Sequence, residues 1–91
     1  MYEITKYSKQ QADKLGVSIK PSKNKNKKID VFKDNELVAS IGAIGYKDYP
    51  TYINEKGKEY ATQRRILYKA RHNADRKIKG SAGWYADKIL W

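Results

Sequence analysis

The sequence contains no cysteine, one histidine, two prolines and one phenylalanine. Lacking cysteine, it can build no disulfide framework, no thiolate zinc site and no thiol nucleophile, and it suits a reducing compartment or an origin indifferent to redox. His72 stands alone, without an H-x-x-x-H pair or an evident serine partner, so neither a histidine zinc site nor a serine–histidine relay is expected. The Gly42-Ala43-Ile44-Gly45 stretch lacks the Lys-Ser/Thr of a phosphate loop and the spacing of a dinucleotide fingerprint. Asp48, Glu55 and Glu59 are too scattered to argue for a magnesium-dependent nuclease. Long apolar runs are also missing: Leu37 to Ile44 falls far short of the roughly 20 residues that span a bilayer, and no membrane span is expected. The opening Met1-Tyr2-Glu3-Ile4 lacks the charged and apolar regions of a secretory signal. These absences argue against an enzyme, a metal, a cofactor and a small-molecule substrate.

What the chain has in excess is positive charge. Its 91 residues include 20 Lys and Arg against 10 Asp and Glu, a formal net charge of +10. That balance calls for an anionic partner: nucleic acid, an acidic protein surface or, third in order because the basic helix offers no clean amphipathic wedge, an anionic membrane surface. Hydrophobic residues make up 40% of the chain, with eight Tyr and two Trp, enough apolar material for a folded domain rather than a disordered tail. We expect one domain over 1–91, divided into an N-terminal helix and lysine-rich arm (1–28) and a folded body (29–91).

Local patterns predict an α+β fold: a β-hairpin or small antiparallel sheet packed by two C-terminal helices, with a short N-terminal helix. Ser8 and Gln11 form a capping-box pattern and Gly16 follows Leu15, which predicts a helix from about Lys9 to Leu15. The run from Pro21 to Lys28 is polar and aperiodic and reads as an exposed loop. Ile29 and Val31 alternate with Asp30 and Phe32, Asp34-Asn35 supplies turn residues, and Leu37 to Ile41 resumes a β-rich run, together a hairpin. Tyr46 to Pro50 reads as a turn, followed by a loop or single helical turn up to Gly57. From Glu59 to Lys79 no Gly or Pro interrupts strong helix formers, which predicts the longest element. Ser81 caps a last helix from Ala82 to about Leu90.

Residues 60–79 hold seven Lys and Arg against a single Asp. Placed at 100° per residue, Arg65, Lys69 and Arg76 share an outward face, a cationic stripe suited to phosphates or an acidic patch, with Lys77 and Lys79 beyond it. A merely solvated helix face is the alternative. Arg64 and Arg71 fall near the apolar side, where a guanidinium must snorkel along its aliphatic stem, stack on a ring or pair with a carboxylate such as Asp48 or Asp87. Lys23, Lys25, Lys27 and Lys28 have the composition of an arm that touches polyanions without reading sequence, or of a solubilising loop. Tyr46, Tyr49 and Tyr52 recur every third residue beside basic segments; core packing is the expected role, base stacking the alternative. Trp84 and Trp91 are expected to close the core or meet a neighbouring chain.

Three segments carry a resemblance. Gly45-Tyr46-Lys47-Asp48-Tyr49, then Tyr68-Lys69-Ala70-Arg71-His72, then Gly80-Ser81-Ala82-Gly83-Trp84-Tyr85 with the terminal Leu90-Trp91, resemble small uncharacterised proteins of tailed bacteriophages and large DNA viruses. These share a Gly-Tyr-x-Asp-Tyr turn, a Tyr-x-x-Arg-His helix and a Gly-aromatic segment ending in Leu-Trp. The likeness runs from about Gly42 onward and departs from the pattern at Pro50-Thr51. It implies a viral origin, a location in the virion or host cytoplasm, and structural roles for Tyr46, Asp48, Arg71, Trp84 and Trp91, with Asp48 pairing with Arg71; Arg64 is expected to be structural from its place near the apolar side of the helix.

Two functions follow as expectations. The first is a virion structural protein, capsid-associated or auxiliary, docking on acidic surfaces of a larger viral shell protein. The second is sequence-independent binding of DNA or RNA through the basic helix and lysine arm.

Overall fold

The computed structural model describes residues 2–91 and has an α+β architecture: a three-stranded antiparallel sheet with helices before and after it. Helix α1 spans Lys6–Leu15. It begins three residues before the expected start because Thr5, not Ser8, is the cap, its Oγ1 accepting from the Ser8 amide at 3.2 Å. Ser8 is instead fully buried and donates to the Ile89 carbonyl at 2.9 Å, tying α1 to the C-terminal helix. Gly16, at φ 72°, ends the helix in the left-handed conformation.

The sheet order is β1 (Ser18–Pro21), β2 (Lys27–Lys33), β3 (Glu36–Ala43). The β2–β3 hairpin turns at Asp34 and Asn35, both at positive φ (52° and 67°), the geometry that favours Asp and Asn in a two-residue hairpin loop. Val31 pairs with Ala39 but Phe32 with Leu37, so Val38 is an extra residue that bulges β3. Ile29, Val31 and Ile41 point into the core.

The lysine-rich segment is not an arm. Residues 18–21 form an edge strand and Lys27–Lys28 open the central strand, with only the intervening residues making the turn. The organising group is Asp30, only 6% exposed. Its carboxylate accepts from Ser22 Oγ at 2.5 Å, Ser40 Oγ at 2.7 Å and the Lys23 amide at 3.2 Å. A polar run without periodicity thus folds by hydrogen bonding to a buried acid across the ladder.

Helices α2 (Tyr49–Lys56) and α3 (Lys58–Arg71) form a hairpin around Gly57. The segment expected as a loop or single turn is a full helix, because Asp48 caps it by accepting from the Thr51 amide at 3.1 Å and Pro50 sits in its first turn. The helix expected to reach Lys79 stops at Arg71; the chain then makes a 3-10 turn at Asp75–Lys77. Arg76 Nε donates to the Lys69 carbonyl at 3.2 Å, satisfying a helix-end acceptor from outside. Helix α4 (Ala82–Ile89) follows, with Ser81 Oγ accepting from the Trp84 amide at 3.2 Å.

Helix α4 packs on β3, α1 and the 3-10 turn. Ile89 and Leu90 are 0% and 1% exposed against Ile29, Val31 and Ile41, each such side chain contributing roughly 1.5–3 kcal/mol by burial. Two glycines allow the close approach. A Cβ on Gly42 (φ 78°) would lie 2.8 Å from Leu90 Cδ1, and one on Gly83 would lie 2.8 Å from Asp75 Cβ.

Candidate functional site

Helix α3 fully buries only Ala61, so its attachment rests on long polar and aromatic side chains. The Arg65 guanidinium stacks 3.6 Å above the Tyr49 ring, its Nε donates to the Trp91 carbonyl at 2.6 Å, and its Nη2 donates to Tyr7 Oη at 3.1 Å. One turn on, Lys69 Nζ lies 2.9 Å from Asp87 Oδ1, a carboxylate whose side chain is 1% exposed. The Tyr68 ring stacks on Trp91 at 4.3 Å with 9° between planes, and on His72 at 4.4 Å. Burial, then the nearby Asp87 and Asp75 carboxylates, raise the Tyr68 phenol above its ordinary value.

A second polar cluster lies under α2. Lys28, 5% exposed, donates to Asp48 Oδ2 at 3.0 Å, and Tyr2 Oη donates to the same oxygen at 2.7 Å. The other oxygen, Oδ1, accepts from the Thr51 hydroxyl at 2.6 Å. Burial, then the hydrogen bond to Asp48, push the Tyr2 phenol well up. Every charge in this buried group is therefore answered, as its position demands.

Two clefts meet over this cluster. One, of about 450 Å³, opens between β3, α3 and α4 and is lined by Arg64, Tyr68, Arg71, His72 and Trp91 among others. The other, of about 810 Å³, runs over the 22–28 turn and includes Lys23, Asn24, Lys25 and Ile44. Lys27, Lys28, Tyr46 and Lys47 belong to both and form the wall between them. Lys47 reaches Glu55, whose carboxylate raises the ammonium above its ordinary value. Lys23, Lys25, Lys27, Arg64 and Arg71 make no ion pair among the described residues. The acids Asp34 and Glu36 sit at the other end of the β2–β3 ladder, six residues from Lys27 along β2, roughly 20 Å away.

The expected outward stripe on α3 does not form. Arg65 is an internal strut, Lys69 neutralises Asp87, and Arg76 turns back to the Lys69 carbonyl and to Asn73 Oδ1, 3.2 Å away. Lys77 and Lys79 are exposed but lie past the helix end. Of the lysines assigned to the arm, Lys28 is buried, whereas Lys23, Lys25 and Lys27 line the larger cleft. Arg71, expected as a strut on Asp48, is exposed in the smaller cleft, because Lys28 and Tyr2 already occupy Asp48. Arg64 sits 5.5 Å over the Tyr52 ring. Trp84 is half-buried, edge-on to Tyr85, and Trp91 is half-buried on Tyr68. Tyr46, expected to be structural, is 76% exposed. Lys47 and Tyr68, which stand in the resembling segments but carry no role assigned from sequence, both line the clefts; the signal for Lys47 was its place beside Tyr46 in a glycine-led turn.

The clefts hold cations without an ion pair beside aromatic rings, and among the described residues no buried polar side-chain atom lacks a hydrogen-bond partner. Among the described residues, no group of three or more His, Asp or Glu is placed to hold a metal ion, and no helix is long and apolar enough to cross a membrane. His72 Nδ1 lies 3.6 Å from Asp75 Oδ2 at the cleft edge. Comparison of the chain with protein-family models, with curated proteins and with solved structures finds no match.

Proposed function

We propose that this protein binds polynucleotides without reading their sequence, through the two joined clefts. The observation that carries this reading is the convergence of unpaired cations from three elements, Lys23, Lys25 and Lys27 on one side and Arg71 on the other, around a wall bearing an exposed Tyr46. Phosphates spaced along a chain match cations distributed along a groove, and aromatic side chains in the groove suit bases. An acidic protein surface would meet the cations equally well but gives no reason for rings beside them. The test is a titration with fluorescent oligonucleotides at several salt concentrations. Four phosphate contacts predict a slope of log affinity on log salt of about −3 for a single strand. Absence of binding at low salt, or a flat salt dependence, removes the reading.

A second reading, a capsid-associated viral component docking on a shell protein, is favoured by a different surface. Tyr60, Ile66 and Leu67 of α3 are 44%, 58% and 50% exposed, apolar surface that the core leaves uncovered. Its check is the protein content of purified particles: absence of the chain from them removes it.

A further inference from the structure

We infer that the polynucleotide is single-stranded and that one base stacks on Tyr46; this rests on the polynucleotide reading above. Each of the other seven tyrosines touches a second ring or a cation: Tyr2 lies beneath Lys28, and Tyr7 and Tyr49 pair with each other, as do Tyr52 and Tyr60. Tyr68 stacks on Trp91, and Tyr85 meets Trp84. Among the described residues Tyr46, 76% exposed, has no such partner and its hydroxyl makes no hydrogen bond.

The ring is nevertheless presented by an organised piece of backbone. The Tyr46 amide donates to the Ala43 carbonyl at 3.3 Å, closing a turn in which Gly45 adopts φ 94°. The Ile44 amide donates to the Asn26 carbonyl at 3.1 Å, which roots that turn against the lysine-rich turn. The turn therefore presents a flat, exposed ring between two clefts, with Lys23 and Lys25 on one side, Arg64 and Arg71 on the other and Lys27 beside it in the wall. A strand crossing from one cleft to the other would place phosphates on both sets of cations and a base over the ring between them. A duplex keeps its bases stacked on one another and has no free face to offer Tyr46, whereas a single strand does.

The experiment compares a short fluorescent oligothymidylate with a duplex of the same length, using the full chain and its Tyr46→Ala and Tyr46→Phe forms. Tyr46→Ala is expected to weaken single-strand binding about tenfold without altering its salt slope, to leave duplex binding unchanged, and to be rescued by Tyr46→Phe. Because the ring is exposed, thermal unfolding of the variants should match the native chain, which separates lost stacking from lost fold. Equal loss on both probes, no loss with Tyr46→Ala, or tighter binding of the duplex overturns the inference while leaving polynucleotide binding intact. No salt-sensitive binding of either probe by the native chain overturns both.

Discussion

Lys28 and Asp48, twenty residues apart in sequence, meet at 3.0 Å with side chains 6% and 1% exposed. The pair fastens the central strand to the start of α2, and Tyr2 closes it from the N-terminal side. Asp48 thus answers a buried ammonium, a phenol and a helix N-terminus together. Asp48→Ala should lower stability by about 3–5 kcal/mol in urea unfolding, since it strands Lys28 without a counter-charge. Adding Lys28→Met to Asp48→Ala should cost less than the sum of the single changes, because the stranded charge is then gone. Strict additivity would show that the two groups are not coupled.

Arg65 tests the division between structural and binding cations. Arg65→Lys keeps the charge but loses the stack on Tyr49 and the fork that reaches the Trp91 carbonyl and Tyr7. A loss of about 1.5 kcal/mol is expected from urea unfolding. The salt slope of oligonucleotide binding should not change, as Arg65 lines neither cleft.

Asp30 sets an acid limit on stability. Burial raises its carboxyl, but the hydrogen bonds from Ser22, Ser40 and the Lys23 amide outweigh burial and hold it below the ordinary value of 3.8. A folded-state value below the unfolded one gives stability that is present above about pH 4 and lost as the pH falls through the lowered value. The urea midpoint should therefore drop on acidification below that point, and Asp30→Asn should flatten the drop.

At the alkaline end the sign reverses. The Tyr2 phenol, raised by burial and by Asp48, stays protonated in the folded chain at a pH where the unfolded chain has begun to ionise. Stability from this contact is complete below about pH 10 and declines above it. Tyr2→Phe should reduce that decline when thermal unfolding is followed across the range.

The cleft cations should separate from the paired ones in binding. Lys27→Ala and Arg71→Ala should each lower the salt slope by about 0.7 for single strands. Lys69→Ala should leave the slope unchanged and instead lower the unfolding midpoint, because it leaves the buried Asp87 with only the more distant and more exposed Lys88, 3.7 Å away.

Much of the architecture is legible locally. The Asp34-Asn35 turn, the Gly16 helix end and the Ser81 cap depend on residues within a few positions of one another, and each forms where the sequence puts it. The end of α3 was not legible: residues 72–79 are adequate helix formers, and the chain leaves the helix because Arg76 can cap the Lys69 carbonyl and α4 packs at Gly83 directly against Asp75 of the 3-10 turn. The alternation in β2 marked Ile29 and Val31 as core but gave no sign that Lys28 and Asp30, on the opposite face, would be buried too.

By itself the sequence determined the amount of positive charge, the hairpin, the presence of helices before and after it, and the lack of cysteine and metal-ligand motifs. Only the tertiary structure decided which cations remain free. Lys28, Lys69 and Arg65 find Asp48, Asp87 and the Tyr49 ring, each at least sixteen residues away in the chain, and are engaged within the fold by those contacts. Helical periodicity describes where a side chain starts; whether its charge is already answered depends on groups brought to it by the fold, and these move the candidate surface from the face of α3 to the clefts around Tyr46.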